Sequence, residues 1–260
     1  MKLISLHNRD KIFHTLKEDI YLHLYSIGDL DDFFWPFTQW YALHDEDHIL
    51  EIALLYFGQP PPTLLALSPT PERMKVLLEK MAGLLPPSFY AHLSPGLDEA
   101  LSPAFKARHH GQHIKMALRQ TSEWPEDNQE RVKKIPESAL EDVLAFYQTS
   151  YPGNWFDPRM LQTDQYFGIR QEKDLISVAG VHVYSPHYKV AALGNIATHP
   201  DHRNRGLATL VTAVLCRSLS KKVKHVGLNV KESNQPAFHC YQKLGFESVA
   251  RYHEWTFQRT

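Results

Sequence analysis

The sequence predicts an α/β fold, a mixed α+β sheet with helices laid on it. Short apolar, strand-like runs recur in both halves, and several are followed by stretches whose apolar residues keep the three- and four-residue spacing of a helix. A β-rich start to the second half gives way to strand, helix, strand, helix, which argues for a mixed sheet rather than a doubly wound one. At 260 residues the chain suits one large domain or two modules of about 130 residues. The polar stretch 120–131, which holds Pro125, separates the halves. Two domains are therefore expected, 1–125 and 126–260.

In the first half Thr63–Leu67 reads as a short buried strand. A helix follows from Pro71, with Met74, Leu77, Leu78 and Met81 on one face. Phe89–Leu93 and Ile114–Leu118 read as further strands. In the second half Val132–Ile135 is strand-like, and Pro136–Tyr147 places Leu140, Val143, Leu144 and Tyr147 on one helical face. Tyr166–Arg170 and Leu175–Tyr184 read as strands joined by a polar turn at Glu172, Lys173 and Asp174. A strand over Ala191–Ala197, a helix over Gly206–Leu219, a strand over Val226–Val230 and a helix over Pro236–Leu244 follow. Ser248–Phe257 closes the chain as a strand pair or one long strand.

Composition narrows the function. With 43% hydrophobic and 22% charged residues the chain is a folded one, and a net charge of −1 provides no overall basic field for nucleic acid or an anionic membrane. Any phosphate-bearing ligand must then be held by a local site. Two cysteines without CxxC spacing, Cys216 and Cys240, suit a reduced interior. Residues 1–10 are too short in apolar content for a signal-peptide core, and Ile49–Phe57 is too short to span a bilayer. A cytoplasmic location is expected.

The sharpest segment is Asn195–Leu210, N-I-A-T-H-P-D-H-R-N-R-G-L-A-T-L. A strand runs into a turn with two arginines, and Gly206 opens a helix. The first N–H groups of a helix have no internal partner and sit at its positive end, so they suit phosphate. Arg203 and Arg205 add forked, charged donors. Neither GxxxxGK[ST] nor GxGxxG occurs, which removes the P-loop and dinucleotide fingerprints.

Arg203, Gly206 and Ala208, preceded by His199 and Pro200, resemble the R-x-x-G-x-A acyl-CoA loop of the GNAT N-acetyltransferase superfamily. Leu228–Phe246, L-N-V-K-E-S-N-Q-P-A-F-H-C-Y-Q-K-L-G-F, is similar to that family's strand, asparagine, helix, tyrosine and terminal Gly-Phe in order and spacing. The resemblance covers about Val132–Phe257. It implies an acyl-CoA N-acyltransferase (GNAT-like) fold in two tandem modules, the first degenerate and the second catalytic, as in the glycine N-acyltransferase-like members. On matching positions it implies that Ile196, Ala197 and Thr198 offer backbone groups to pantetheine. Arg203, Asn204, Arg205, Gly206, Leu207, Ala208 and Thr209 would wrap the pyrophosphate, Asn234 would touch the CoA arm, and Tyr241 would be the general acid. Many members carry a carboxylate on the strand before the loop; Gly194 and Asn195 stand there instead, which leaves the base open among His182, His199, His202 and Glu232.

The implied reaction is transfer of the acetyl group of acetyl-CoA to a primary amine by direct attack in a ternary complex, with no metal. Tyr241 can return a proton to sulfur, since a phenol near ~10 is close to a thiol near ~8.5. Asn229, alternating with Leu228 and Val230, is expected to line the cleft. Plainer readings stand beside these: Tyr241 as a buried aromatic with Phe238 and Leu244, the arginines as a solvated turn, Asn234 as a helix cap. An inactive CoA-binding regulatory or interaction module is the alternative to an enzyme. The first half has Ser68-Pro69-Thr70-Pro71-Glu72-Arg73 where the loop would fall, without a glycine, so no CoA site is expected there. Its expected work is to cover the catalytic half and shape an acceptor pocket from Trp35, Phe37, Trp40 and Tyr41, if these are not simply core. His44–His48 and His109–His113 follow no metal-ligand spacing and read as polar turns.

Overall fold

The computed structural model describes residues 1–46, 48–120, 124 and 129–260. The boundary expected at residue 125 lies outside the described residues. Two compact units are present, one of Met1–Lys115, Val230–Ser233 and Val249–Thr260, the other of Met116–Asn229 and Asn234–Ser248.

The first unit runs β1 (Lys2–Leu6), α1 (Arg9–Leu16), α2 (Leu24–Gly28), β2 (Thr38–Asp45), β3 (His48–Tyr56), β4 (Thr63–Ala66), α3 (Pro71–Met81), β5 (Ser88–Leu93) and β6 (Phe105–Leu118, to Lys115 in this unit). Asn8 starts α1 by accepting the Lys11 N–H at 2.9 Å, one of the orphan donors of a helix start. β1 to β4 pair antiparallel in succession, whereas β4 and β5 are parallel, joined by α3. As the spacing predicts, Met74, Leu77, Leu78 and Met81 are fully buried against Leu64, Ala66, Phe89 and Leu93. Each such side chain contributes about 1.5–3 kcal/mol by leaving water.

One reading of this half changes. His109–His113 is not a turn; it lies inside β6, where Gly111 takes φ 113° and His109 Nε2 meets His253 Nδ1 at 2.8 Å. Cross-strand pairing overrides the local polarity of that run. Trp40 is core at 1% exposure and stacks on Trp35, in line with the plainer reading of that residue, whereas Trp35, Phe37 and Tyr41 are half-buried.

Beyond its last parallel pair, Ala66↔Leu93, the β4–β5 junction stays tied. Ser94 N–H donates to the Ala66 carbonyl, Ser68 N–H to Ser94 Oγ at 2.9 Å, and Ser68 Oγ to Glu51 at 2.8 Å.

The second unit runs β7 (Val132–Lys134), α4 (Leu140–Ser150), β8 (Phe167–Gln171), β9 (Asp174–Ser185), β10 (Val190–Thr198), α5 (Leu207–Ser220), β11 (His225–Lys231, to Asn229 in this unit) and α6 (Gln235–Lys243). The strands lie in the order β11, β10, β9, β8, β7, and only β10 and β11 are parallel. Leu207, Leu210, Val211, Leu215 and Leu219 of α5 are buried, the face the spacing predicts.

The closing segment is one strand, β12 (Phe246–Arg259). From Val249 onward it belongs to the first unit, where it pairs antiparallel with β5 from His253↔Leu93 to Gln258↔Ser88. Both cysteines are free thiols. Among the described residues no helix is long and apolar enough to cross a membrane.

Candidate functional site

The site in the second unit starts from a flaw in β10. Its parallel register with β11 runs from Val190↔His225 to Leu193↔Leu228, yet β10 continues to Thr198. On its other edge the pairing with β9 slips between Gly194 and Ala197. Asn195, within that bulge, takes φ 55°, a left-handed conformation that asparagine tolerates better than most residues. Two tyrosines fix it: Tyr147 donates to the Asn195 carbonyl at 2.7 Å, and Asn195 Nδ2 donates to Tyr166 Oη at 2.9 Å. Tyr166 in turn donates to the Val181 carbonyl at 3.0 Å. Burial drives both phenols well above their ordinary pKa, so they remain protonated donors.

Two glycines make room. A Cβ on Gly180 would lie 2.2 Å from the Tyr166 ring, and one on Gly194 would lie 1.9 Å from His182 Cδ2. Ile196, Ala197 and Thr198 are half-buried on the stretch of β10 past the last parallel pair. Asn229 is half-buried on β11, one residue past that pair.

The chain then makes a short 3-10 turn, Pro200–His202, and reaches α5 through two left-handed residues, Asn204 at φ 61° and Gly206 at φ 73°. Gly206 is the N-cap and no side chain caps the helix. The first turn at Leu207, Ala208 and Thr209 therefore presents its orphan N–H groups with the positive end of a 14-residue helix behind them. Arg203, Asn204, Arg205 and Gly206 are exposed. Both guanidinium groups hold carbonyls: Arg203 Nε reaches Thr198 O at 3.2 Å, and Arg205 reaches Asp201 O at 3.1 Å. His199 serves this turn through Nδ1, which accepts the Asp201 N–H at 3.3 Å.

Asn234 caps α6 through the Ala237 N–H at 3.3 Å and is exposed. Thr209 Oγ1 and Cys240 Sγ lie 3.2 Å apart, which joins the first turn of α5 to α6, beside Tyr241. Tyr241 itself is 8% exposed and packs on Phe246. Burial, with Cys240 adding to it, raises its phenol well above the ordinary range and widens the acidity gap to a thiol. Of the four open base candidates, Glu232 lies in the first unit, against Gln112 and Arg251. No group of three or more His, Cys, Asp or Glu able to hold a metal occurs among the described residues.

Sequence reasoning missed Tyr147, Tyr166 and Asn195 as the brace of the bulge. The legible signal was a glycine inside each of two neighbouring strand runs, where glycine marks a bulge or a close approach.

The fold is that of the GNAT acetyltransferases. A Drosophila protein of known structure is similar over 98% of each chain, with 13% identity and a TM-score of 0.73. A tandem GNAT protein from the clavulanic acid biosynthesis pathway is similar over 98% of this chain and 97% of its own, with 14% identity and a TM-score of 0.58. In sequence, residues 166–256 match the FR47-like protein family model. Mycothiol acetyltransferase of Corynebacterium aurimucosum is 31% identical over 139 residues, 51% of this chain and 44% of that relative's length. Both sequence matches fall short of the whole chain: the family model covers residues 166–256, and the chain spans 44% of the length of the mycothiol acetyltransferase it resembles.

Proposed function

We propose that the chain is an N-acetyltransferase that moves the acetyl group of acetyl-CoA to a primary amine by direct attack in a ternary complex, with one CoA site in residues 126–260. The observation that carries it is the end of the β10–β11 register at Leu193↔Leu228, just ahead of an uncapped α5 flanked by Arg203 and Arg205. In this reading Ile196, Ala197 and Thr198 pair with pantetheine. Residues Arg203, Asn204, Arg205, Gly206, Leu207, Ala208 and Thr209 hold the pyrophosphate, the two guanidinium groups exchanging loop carbonyls for phosphate oxygens. Backbone N–H groups at Ala197 or Thr198 polarise the thioester carbonyl, an interaction worth several kcal/mol when it tightens in the transition state. Asn229 and Asn234 line the CoA arm, and Tyr241 protonates the leaving sulfur. The first unit, a degenerate GNAT module, lacks a CoA site because its β4–β5 junction is closed by Ser68, Ser94 and Glu51.

A second reading, a CoA-binding regulatory module without activity, draws on Gly194, which gives β10 no carboxylate. Calorimetric titration with acetyl-CoA, followed by thiol release with amines, separates the two. One site per chain, weakened at least tenfold in Arg203→Ala, supports the cradle, since that factor is about 1.4 kcal/mol of lost charge-assisted bonding. Binding with no turnover for any amine supports the module, and unaltered affinity in Arg203→Ala removes the cradle.

A further inference from the structure

We propose that His182 is the base that takes the proton from the incoming amine, standing on β9 in the space that a β10 side chain would otherwise fill. The inference rests on the acetyl-transfer reading above. Its first support is steric: a Cβ on Gly194 would fall 1.9 Å from His182 Cδ2, 2.3 Å from Nε2 and 2.4 Å from Cγ. The backbone at Gly194 is not left-handed, so nothing in the main chain demands glycine there. The imidazole demands it. Position 194 lacks a side chain because His182 occupies that volume.

The second support is the sheet itself. Pairing of β9 with β10 passes from Ala192↔Val183 to Leu193↔Val181, which leaves His182 as the extra residue of a bulge. A bulge turns one side chain out of the strand's alternation and aims it elsewhere. Here it aims the imidazole at Gly194, immediately past the last β10–β11 pair, where the candidate cleft opens. The ring is half-buried and lies 5.7 Å from Trp155, fixed in place yet reachable.

The chemistry balances. An alkylammonium N–H proton passes to an imidazole nitrogen, and the freed lone pair forms the C–N bond at the thioester carbonyl as the C–S bond breaks. Sulfur takes a proton from Tyr241, which the second amine proton replaces, and the imidazolium returns its own to solvent. A neutral imidazole nitrogen carries the lone pair that a base for this step needs.

The test uses the full chain, acetyl-CoA and two small nucleophiles read by thiol release at pH 7. Methylamine is protonated there and needs a base, whereas hydroxylamine is already neutral. In His182→Gln, turnover with methylamine is expected to fall at least ~10²-fold while hydroxylamine changes by less than about threefold, because only the first reaction uses general-base catalysis. Acetyl-CoA affinity is expected to stay put. A second variant, His182→Ala with Gly194→Glu, puts a carboxylate into the vacated volume and is expected to recover methylamine turnover at least about tenfold over His182→Gln. Equal losses with both nucleophiles, or no loss with methylamine, overturn the proposal. Wild-type protein that binds acetyl-CoA but releases no thiol with either nucleophile overturns the acetyl-transfer reading, and this assignment falls with it.

Discussion

Replacing Tyr166 by Phe removes one oxygen and with it two buried hydrogen bonds, the one accepted from Asn195 and the one donated to Val181. Each is worth about 1 kcal/mol net, and an Asn195 amide deprived of its hydroxyl partner adds part of a desolvation cost of about 1–3 kcal/mol. The expected loss is therefore about 2–3 kcal/mol. For a chain of this size each kcal/mol lowers Tm by roughly 2–4 °C, so a drop of about 4–12 °C should appear in a calorimetric scan. Because the same bonds hold the bulge that ends the parallel pairing, acetyl-CoA affinity should fall with stability. Tyr147→Phe, which loses only the bond to the Asn195 carbonyl, should show a smaller change of the same kind. A Tyr166→Phe protein within about 0.5 kcal/mol of wild type, the scatter of substitutions away from such features, and with unaltered affinity would refute the idea that this brace shapes the site.

Further outcomes follow from other places in the chain. Burial pushes Glu51 up to about 7 from an ordinary 4.5, and a raised folded-state pKa contributes stability that is present below 4.5 and lost as pH rises through 7. Glu51→Gln should remove that dependence, so the unfolding free energy of wild type minus that of the variant, from denaturant melts, should decline by about 3 kcal/mol between pH 4 and pH 8. Gly206→Ala forces a Cβ into φ 73° with open space around it, costing about 1–2 kcal/mol of stability and weakening acetyl-CoA binding in the same titration. Phe89, fully buried and stacked on Phe257 at 5.1 Å, should cost about 3–5 kcal/mol as alanine in a denaturant melt.

Much of the second unit was legible because its signals are local. The apolar spacing of Leu207, Leu210, Val211 and Leu215, the glycine ahead of them and the Asn234-Gln235-Pro236 helix start each specify their element without help from distant residues. The backbone of the loop was not legible in the same way: Gly206 occupies a left-handed position that a residue without a Cβ takes easily, a conformation the sequence reading did not specify. What stayed hidden depends on partners far apart in sequence. Tyr147 and Asn195 are separated by 48 residues, and nothing local in either marks the bond between them. Gly194 looked like a missing carboxylate until its neighbour across the bulge was seen to fill the space. The polar run from His109 to His113 misled because a half-exposed strand has no apolar alternation to read.

The pairing of the closing strand with β5 sets the order in which the protein can assemble. On a ribosome residues 1–115 of the first unit are made well before residues 249–259, which pair against β5. Until then the β5 edge over Ser88–Leu93 lacks that antiparallel partner, a row of backbone groups ready to template pairing with another nascent chain. Unit-by-unit folding from the N-terminus, the usual habit of multidomain chains, is therefore unavailable to this one. Most of the first unit must wait for that strand, and deletion of residues 249–260 is expected to damage it ahead of the unit formed by residues 116–229 and 234–248.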